Sequence, residues 1–464
     1  MKIGRGRARS GDKAGFGLHT AIAVVVANMV GTGVFTSLGF QLEGLRSGFA
    51  LLMLWIVGGV TAVCGALTYA ELGSTIRRSG GEYAFLSHIY HPAAGFVSGW
   101  ISATIGFAAP SALAAITFGT YLSSVFPALP ARWLAVGLVV VLSLVHASTH
   151  RTSGGFQRWT TTLKVALIIA FCAAGVSLVT EPQPLDILPS AAGVSSILSS
   201  GFAVSLIFVS YSYSGWNAAT YVTRELRDPR RILPRALGAG TLLVMVLYVG
   251  LNYVFLRAAP AEELVGRLEV GYIAATHIFG PRGADIMGIT LALLLVSTVS
   301  AMVLAGPRVL HAIGGDYPTF RILRKMNARG IPAVAIYTQG AISLAFILTE
   351  SFETILVFSG FTMGLNTLLA TAGVFVLRRR GAPVPEGEAG AGPGAGTRPG
   401  ADPPYRTWGY PITPLVFLTV TGWTLTYILI ERPLEAGLGL GLIAVGFAIY
   451  AFTRARDRAL SRLR

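Results

Sequence analysis

The stretch NMVGTGVFTSLG, Asn28 to Gly39, decides how this chain folds. It lies in an apolar run long enough to cross a bilayer, yet Gly31 and Gly33 flank Thr32 in the middle of that run. Glycine costs a helix interior about 1 kcal/mol relative to alanine. Lipid offers no water to a backbone group that a broken helix sets free. The run is therefore a spanning helix that is either kinked for close packing or opened on purpose. The rest of the chain must separate these two readings.

Of 464 residues, 53% are hydrophobic and 12% charged, half of the roughly 25% charge share of a globular domain. Apolar runs of about twenty residues, the length that crosses a bilayer, recur from end to end. They lie at 17–39, 48–73, 94–125, 130–149, 160–180, 192–223, 233–256, 283–313, 332–350, 353–378, 411–430 and 434–453. These twelve runs predict an all-α membrane protein with 12 transmembrane helices and no large soluble domain. A net charge of +15 would point to nucleic acid in a soluble chain, but its distribution decides otherwise. With the basic N-terminus (Lys2, Arg5, Arg7, Arg9, Lys13) in the cytoplasm, that tail, the even-numbered loops and the C-terminus, counted with the span residues nearest to them, hold 30 of the 36 Lys and Arg. This is the positive-inside pattern. It predicts a multi-pass protein of a plasma (bacterial inner) membrane with both termini cytoplasmic, and it removes nucleic acid as a partner.

The first ten spans divide into two fives because a second interruption answers the first. SYSYSGWN, Ser210 to Asn217, replaces the aliphatic run of span 6 with serines and a glycine. Spans 1 and 6 start from opposite sides of the membrane, and breaks at matching places in opposed halves point to a transporter's midplane site. The expected order is a cytoplasmic tail (1–15), a first five-helix repeat (16–180), a second (192–380), a cytoplasmic flexible linker (381–410), helices 11 and 12 (411–454) and a cytoplasmic tail (455–464). The linker is read from Gly381 to Pro404, a Gly/Ala/Pro-rich stretch without periodicity.

A break brings helix ends to the bilayer's centre. Orphan amides and the positive dipole end favour a carboxylate, and orphan carbonyls favour an ammonium. Two such breaks suit a zwitterion, the backbone of a free amino acid. Small residues in membrane helices also serve close packing, and that reading stays open for Gly31 and Gly33, as ordinary packing does for Tyr211 and Trp216. Among charges, Glu71 lies at the inner end of span 2, while Asp285 and Glu350 lie near the outer surface. Lys164 is different: it sits six residues past Arg158, about 9 Å deeper at 1.5 Å per residue. It is either a lysine snorkelling to the interface or a buried, titratable amine that gates the pathway. His19, His146, His277 and His311 lack metal-ligand spacing, and no span carries a Ser/His/Asp or paired-carboxylate arrangement. No metal, no cofactor and no enzymatic activity are expected. Cys64 and Cys172 fall inside spans, which predicts buried thiols rather than a disulfide.

Several strings together carry a resemblance: ANMVGTGVF in span 1, TYAELGSTIRRSGGEYAFLSHIY after span 2, YSGWNAATYVTRELRDPRRILPRAL through span 6, GPRVLHAIGGD ending span 8, and PYRTWGYPITP before span 11. They resemble the amino acid–polyamine–organocation superfamily, with the Gly-Trp-Asn string similar to the L-type amino acid transporter branch and its bacterial relatives. The resemblance implies a leucine-transporter-type fold, two inverted five-helix repeats plus two extra helices. It implies that the amides of Thr32 and Gly33, beside Gly31, hold a substrate carboxylate. It further implies that carbonyls of Tyr211, Ser212 and Ser214 take the ammonium, with the Tyr211 ring closing over the ligand. Lys164 matches a lysine that replaces a sodium ion between spans 1 and 8. Arg77 and Arg224 depart from the family's proline and glutamate. No loop carries the cysteine through which animal L-type members join a heavy chain, so no covalent heavy chain is expected.

The resulting expectation is a secondary active transporter of neutral amino acids, working by alternating access with proton coupling through Lys164. A sodium-independent exchanger is the alternative, and a membrane amino acid sensor is the alternative of another class. The implied partners are the amino acid, protons and the bilayer. Gly33→Leu is expected to block the site and leave the fold intact.

Overall fold

The computed structural model describes residues 17–76, 80–148, 154–349, 351–380 and 405–462. The expected tail 1–15, the tether Gly381–Pro404, Arg77 and the side chain of Arg224 lie outside the described residues. Those residues form helices and no strand.

The opening stretch falls at the joint between α1 (Leu18–Met29) and α2 (Gly33–Gly44), which meet at a bend of 43°. There follow α3 (Gly48–Thr75), the short α4 (Glu82–Ile89), and α5 (Pro92–Ile101) continuing through a π-helical turn at Ser102–Gly106 into α6 (Ala108–Val125). Next come α7 (Ala131–Ser148), α8 (Gly154–Leu178), α9 (Ala191–Ile197) and α10 (Ser200–Ser212). The second half continues with α11 (Pro229–Ala258), α12 (Ala261–Leu264), α13 (Val270–Asp316) and α14 (Ala333–Thr349). It closes with α15 (Phe352–Arg380), α16 (Ile412–Glu431) and α17 (Pro433–Arg462). Several starts are written into the chain: Ser47, Ser190, Ser199 and Asp228 each accept a first-turn amide, satisfying donors a helix leaves unpaired. The 47-residue α13 is not one rod, because Gly280 leaves helical geometry at φ +74°.

Among the described residues, nine helices are long and apolar enough to cross a bilayer, and eleven if each bent pair counts as one span. The expected run 332–350 forms α14, apolar but only 17 residues long. At 1.5 Å per residue it reaches about 26 Å, short of a ~30 Å hydrocarbon core. The twelve expected spans are therefore eleven and one shorter helix. The chain is an all-helical, multi-pass membrane protein.

The bent first span runs through the middle of the bundle. α1 packs on α11 and α8, and α2 packs on α10 and α13. Trp55 of α3 meets the rings of Tyr213 and Tyr248 edge-on, with centroids 6.0 and 5.7 Å away, and walls the centre with aromatic surface. Outward faces carry exposed aliphatics such as Leu293, Ile430 and Leu434, while Trp133, Trp159 and Trp408 stand exposed near helix ends, where amphipathic rings mark a membrane boundary.

Residues 405–410, the end of the expected linker 381–410, are instead docked. Thr407 donates its amide and its hydroxyl to Glu71 Oε2, each at 2.5 Å. Arg378 adds a two-point pair to the same carboxylate at 2.8 Å, and its guanidinium lies 3.6 Å from the centre of the Tyr410 ring. Composition missed this because the anchor is a buried carboxylate over 300 positions away, and a buried charge recruits partners.

Candidate functional site

The first break is narrow. Val30 leaves the helix at ψ +86°, and helical geometry resumes with Thr32 and Gly33. The carbonyls that α1 leaves unpaired find side chains from other spans. Tyr248 of α11 donates its hydroxyl to Met29 O at 2.6 Å, and Lys164 of α8 donates to Val30 O at 3.3 Å. On the other side of the gap, the first amides of α2 have no partner within their own helix, as in any helix.

The second break is wider. α10 ends at Ser212, a turn runs over Tyr213–Asn217, and the chain continues as a 3₁₀ helix, Ala218–Glu225. Ser210 to Ser212, expected inside the interruption, are still helical; their serines are compatible with the helix because Ser212 bonds back to Phe208 O at 2.8 Å. Span 6 bends a second time, by 63°, between α9 and α10, where the sequence shows no comparable gap. Gly215 has φ +97°, and a Cβ there would sit 2.8 Å from the Asn28 carbonyl. Only glycine meets both demands.

The two breaks cross. Gly215 touches Asn28, the Thr32 hydroxyl lies 3.5 Å from the Tyr211 hydroxyl, and Gly33 lies against Ser212. A Cβ on Gly33 would land on the Ser212 hydroxyl and come within 2.7 Å of its Cα. Gly33 is therefore where spans 1 and 6 press together. This corrects the expectation for Gly33→Leu: the side chain meets backbone, not open space. Gly31 faces the other way, and the nearest atom to a Cβ there is Met29 O at 3.9 Å. Of the expected residues, Thr32, Gly33, Tyr211 and Ser212 meet at the crossing, while Gly31 lines the cavity beside Lys164. Ser214 sits in the turn, its amide bonded to Tyr211 O at 2.9 Å.

Lys164 does not snorkel. It is 7% exposed, and besides Val30 O its ammonium donates to the Thr298 hydroxyl of α13 at 2.8 Å. One amine thus ties α8, the first break and α13. The neighbouring hydroxyls look elsewhere: Ser297 bonds to Leu294 O, and Ser300 pairs with His146 Nε2, both at 2.8 Å. A small cavity between these spans is lined by Gly31, Phe35, Tyr121, Lys164, Leu291 and Leu295. The charged group on its wall is a cation.

Two residues escaped the sequence reading. Tyr248 caps Met29, and the fully buried Tyr121 bridges the break's far side, donating to Phe35 O and accepting from the Gly271 amide, both at 3.0 Å. A buried tyrosine needs a partner for its hydroxyl, but span 7 carries both Tyr248 and Tyr253, and the sequence does not say which one turns inward.

Comparison with known proteins agrees with this architecture. A family model described as amino acid permease matches residues 16–430. The large neutral amino acids transporter small subunit 2 of Rattus norvegicus is 28% identical, over 94% of this chain and 80% of its own length. The serine/threonine exchanger SteT of Bacillus subtilis is 26% identical over 95% and 97%, and the b(0,+)-type amino acid transporter 1 of Homo sapiens 27% over 78% and 75%.

Proposed function

The chain belongs to the amino acid permease family, and from that premise we propose that it moves neutral amino acids by alternating access, coupled to protons through Lys164. It is an amino acid permease and not an enzyme. The observation that carries the finer reading is the crossing of two broken spans beside a buried ammonium that holds one of them by a carbonyl. The first amides of α2, at Thr32 and Gly33, are the carboxylate site, and Gly31 leaves the main chain open to approach. Carbonyls at Tyr211, Ser212 and Ser214 take the ammonium, and the Tyr211 ring closes over the ligand. The chain is read as two opposed five-helix repeats, 16–180 and 192–380, lying in a bacterial-type plasma membrane with both termini cytoplasmic.

A cation on the cavity wall supports neutral over cationic substrates, since two like charges at the midplane repel strongly in a low dielectric. The same ammonium occupies the space a sodium ion needs between spans 1 and 8, so transport is indifferent to sodium. Its proton is the coupled one: the ammonium ties α8 to Val30 and Thr298, and the neutral amine releases the break. Uptake of labelled alanine, serine, leucine and arginine into proteoliposomes tests this, with pH and sodium gradients imposed separately. Neutral uptake should follow the inward proton gradient alone. Arginine uptake exceeding the neutral panel, or dependence on sodium, overturns the reading.

Obligatory exchange is the second reading, favoured by the likeness to a protein named a serine/threonine exchanger. Counterflow that ignores an imposed pH gradient would select it. Although one relative is named a small subunit, Cys64 and Cys172 lie in α3 and α8, away from any loop. The proposed permease works without a disulfide-linked heavy chain.

A further inference from the structure

The string GGEYAFL, Gly80 to Leu86, places a carboxylate where a surface helix meets the bundle. Glu82 opens α4 and yet is 3% exposed. Both its oxygens are engaged by the stretch just past the second break: Oε1 accepts from Asn217 Nδ2 and Oε2 from the Tyr221 hydroxyl, each at 2.5 Å. The glycine before it is required. Gly81 has φ +55°, and a Cβ there would lie 2.7 Å from the Tyr221 ring.

Residues 213–225 gain little from their own backbone. They are a turn followed by a 3₁₀ helix, whose hydrogen-bond geometry is poorer than an α-helix's. Their placement therefore depends on side chains from other elements. Trp216 lies edge-on to Tyr69 of α3 (4.7 Å) and Phe417 of α16 (5.9 Å). These are apolar contacts that slide. Directional bonds do not slide: the Tyr213 hydroxyl donates to Trp55 O of α3 at 2.9 Å, and the two bonds to Glu82, sheltered from water, fix the far end of the turn and the 3₁₀ helix.

We propose that Glu82 is a positioning residue for transport: it clasps Asn217 and Tyr221 and holds the second break shut against α4. Release of the clasp frees 213–225 to swing about Gly215 and opens the pathway on the face that carries α4. The proposal rests on reading the crossed breaks as the transport site. Glu82 itself touches no substrate.

Hydrogen–deuterium exchange on the full chain in nanodiscs tests the clasp without any ligand. Glu82→Gln should raise exchange in 213–225 by about tenfold, the equivalent of leaving one buried hydrogen-bonding group unsatisfied. Tyr221→Phe, which keeps the ring and removes one bond, should give a smaller rise in the same peptides, and Glu82→Asp should restore part of the protection. Peptides of α1 and α11 should not change. Unchanged exchange in 213–225, or a rise spread evenly over the chain, overturns the clasp. Counterflow of a ¹⁴C-labelled L-amino-acid mixture in proteoliposomes tests its use: Glu82→Gln should slow it severalfold at unchanged protein recovery. A normal rate with a loosened 213–225 overturns the gating role. If the wild type moves no label, the transport reading fails, and the exchange data still decide the clasp.

Discussion

The two breaks at the centre of this protein solve the same problem in opposite ways. The break in span 1 is short, lies between two 12-residue α-helices, and has its freed carbonyls capped by Tyr248 and Lys164. The break in span 6 is a five-residue turn running into a 3₁₀ helix, and its anchors are side chains of α3, α4 and α16. A freed backbone group inside a membrane must be satisfied by something. In span 1 the satisfaction is local to the gap. In span 6 the gap is followed by a segment held from outside. On the proposed reading, the first arrangement is a rigid site that one amine can loosen, and the second is a hinge with a distant catch.

Gly33→Leu should have the largest effect. The Cβ alone meets Ser212 backbone at 2.7 Å, and backbone cannot step aside as a flexible side chain can. We expect no monodisperse protein on size-exclusion chromatography. A well-folded Gly33→Leu with normal melting would show that spans 1 and 6 are not pressed together here, and the comparison would lose its common contact point.

Lys164→Ala comes next, and it strikes the first break only. It leaves Val30 O and Thr298 without their buried donor, at roughly 1–3 kcal/mol per unsatisfied group. Uptake should stop responding to a proton gradient, while the thermal shift produced by a bound neutral amino acid persists. Full gradient-driven uptake in this variant would remove the amine from the mechanism.

Much of this was legible in the sequence, because both breaks are compositional faults in aliphatic runs and Lys164 is a charge where none belongs. Directions were not legible. Gly31 and Gly33 are two residues apart and look interchangeable on paper, yet one faces a cavity and the other a neighbouring backbone. Residues 405–410 fell within the expected linker bounds because the partner that fixes them, Glu71, is distant in sequence. The role of Tyr248 was not legible either, since nothing local says that its hydroxyl points at Met29. The kink at Gly280, by contrast, is written as Gly280-Pro281, just ahead of the expected start of span 8 at 283.

Tyr248→Phe sharpens the account of the first break. It keeps the ring in its aromatic surroundings and deletes the hydroxyl that caps Met29 O. The loss of that buried bond should cost about 1–3 kcal/mol, read as a lower melting temperature. Binding should weaken too, because the carbonyl end of the gap loses its fixed direction. A melting temperature equal to the wild type's would mean that water takes over the cap and that the first break is wetter than this comparison allows.

Gly31→Ala should have the smallest effect on stability and is the most informative for that reason. Gly31 is not among the glycines with positive φ, so alanine can adopt its backbone conformation. The added methyl has open space, with Met29 O at 3.9 Å as its nearest neighbour. Replacing glycine by alanine at such a position restricts the unfolded chain and stabilises by about 0.4–1 kcal/mol. The methyl nonetheless projects beside the cavity that Lys164 lines, where the proposed function brings a ligand carboxylate close to the main chain. Melting temperature should therefore hold or rise slightly while the amino-acid-induced shift is lost. If Gly31→Ala bound its amino acid as well as the wild type does, the gap in span 1 would be a packing feature, and the binding chemistry would have to lie wholly in the hinge of span 6.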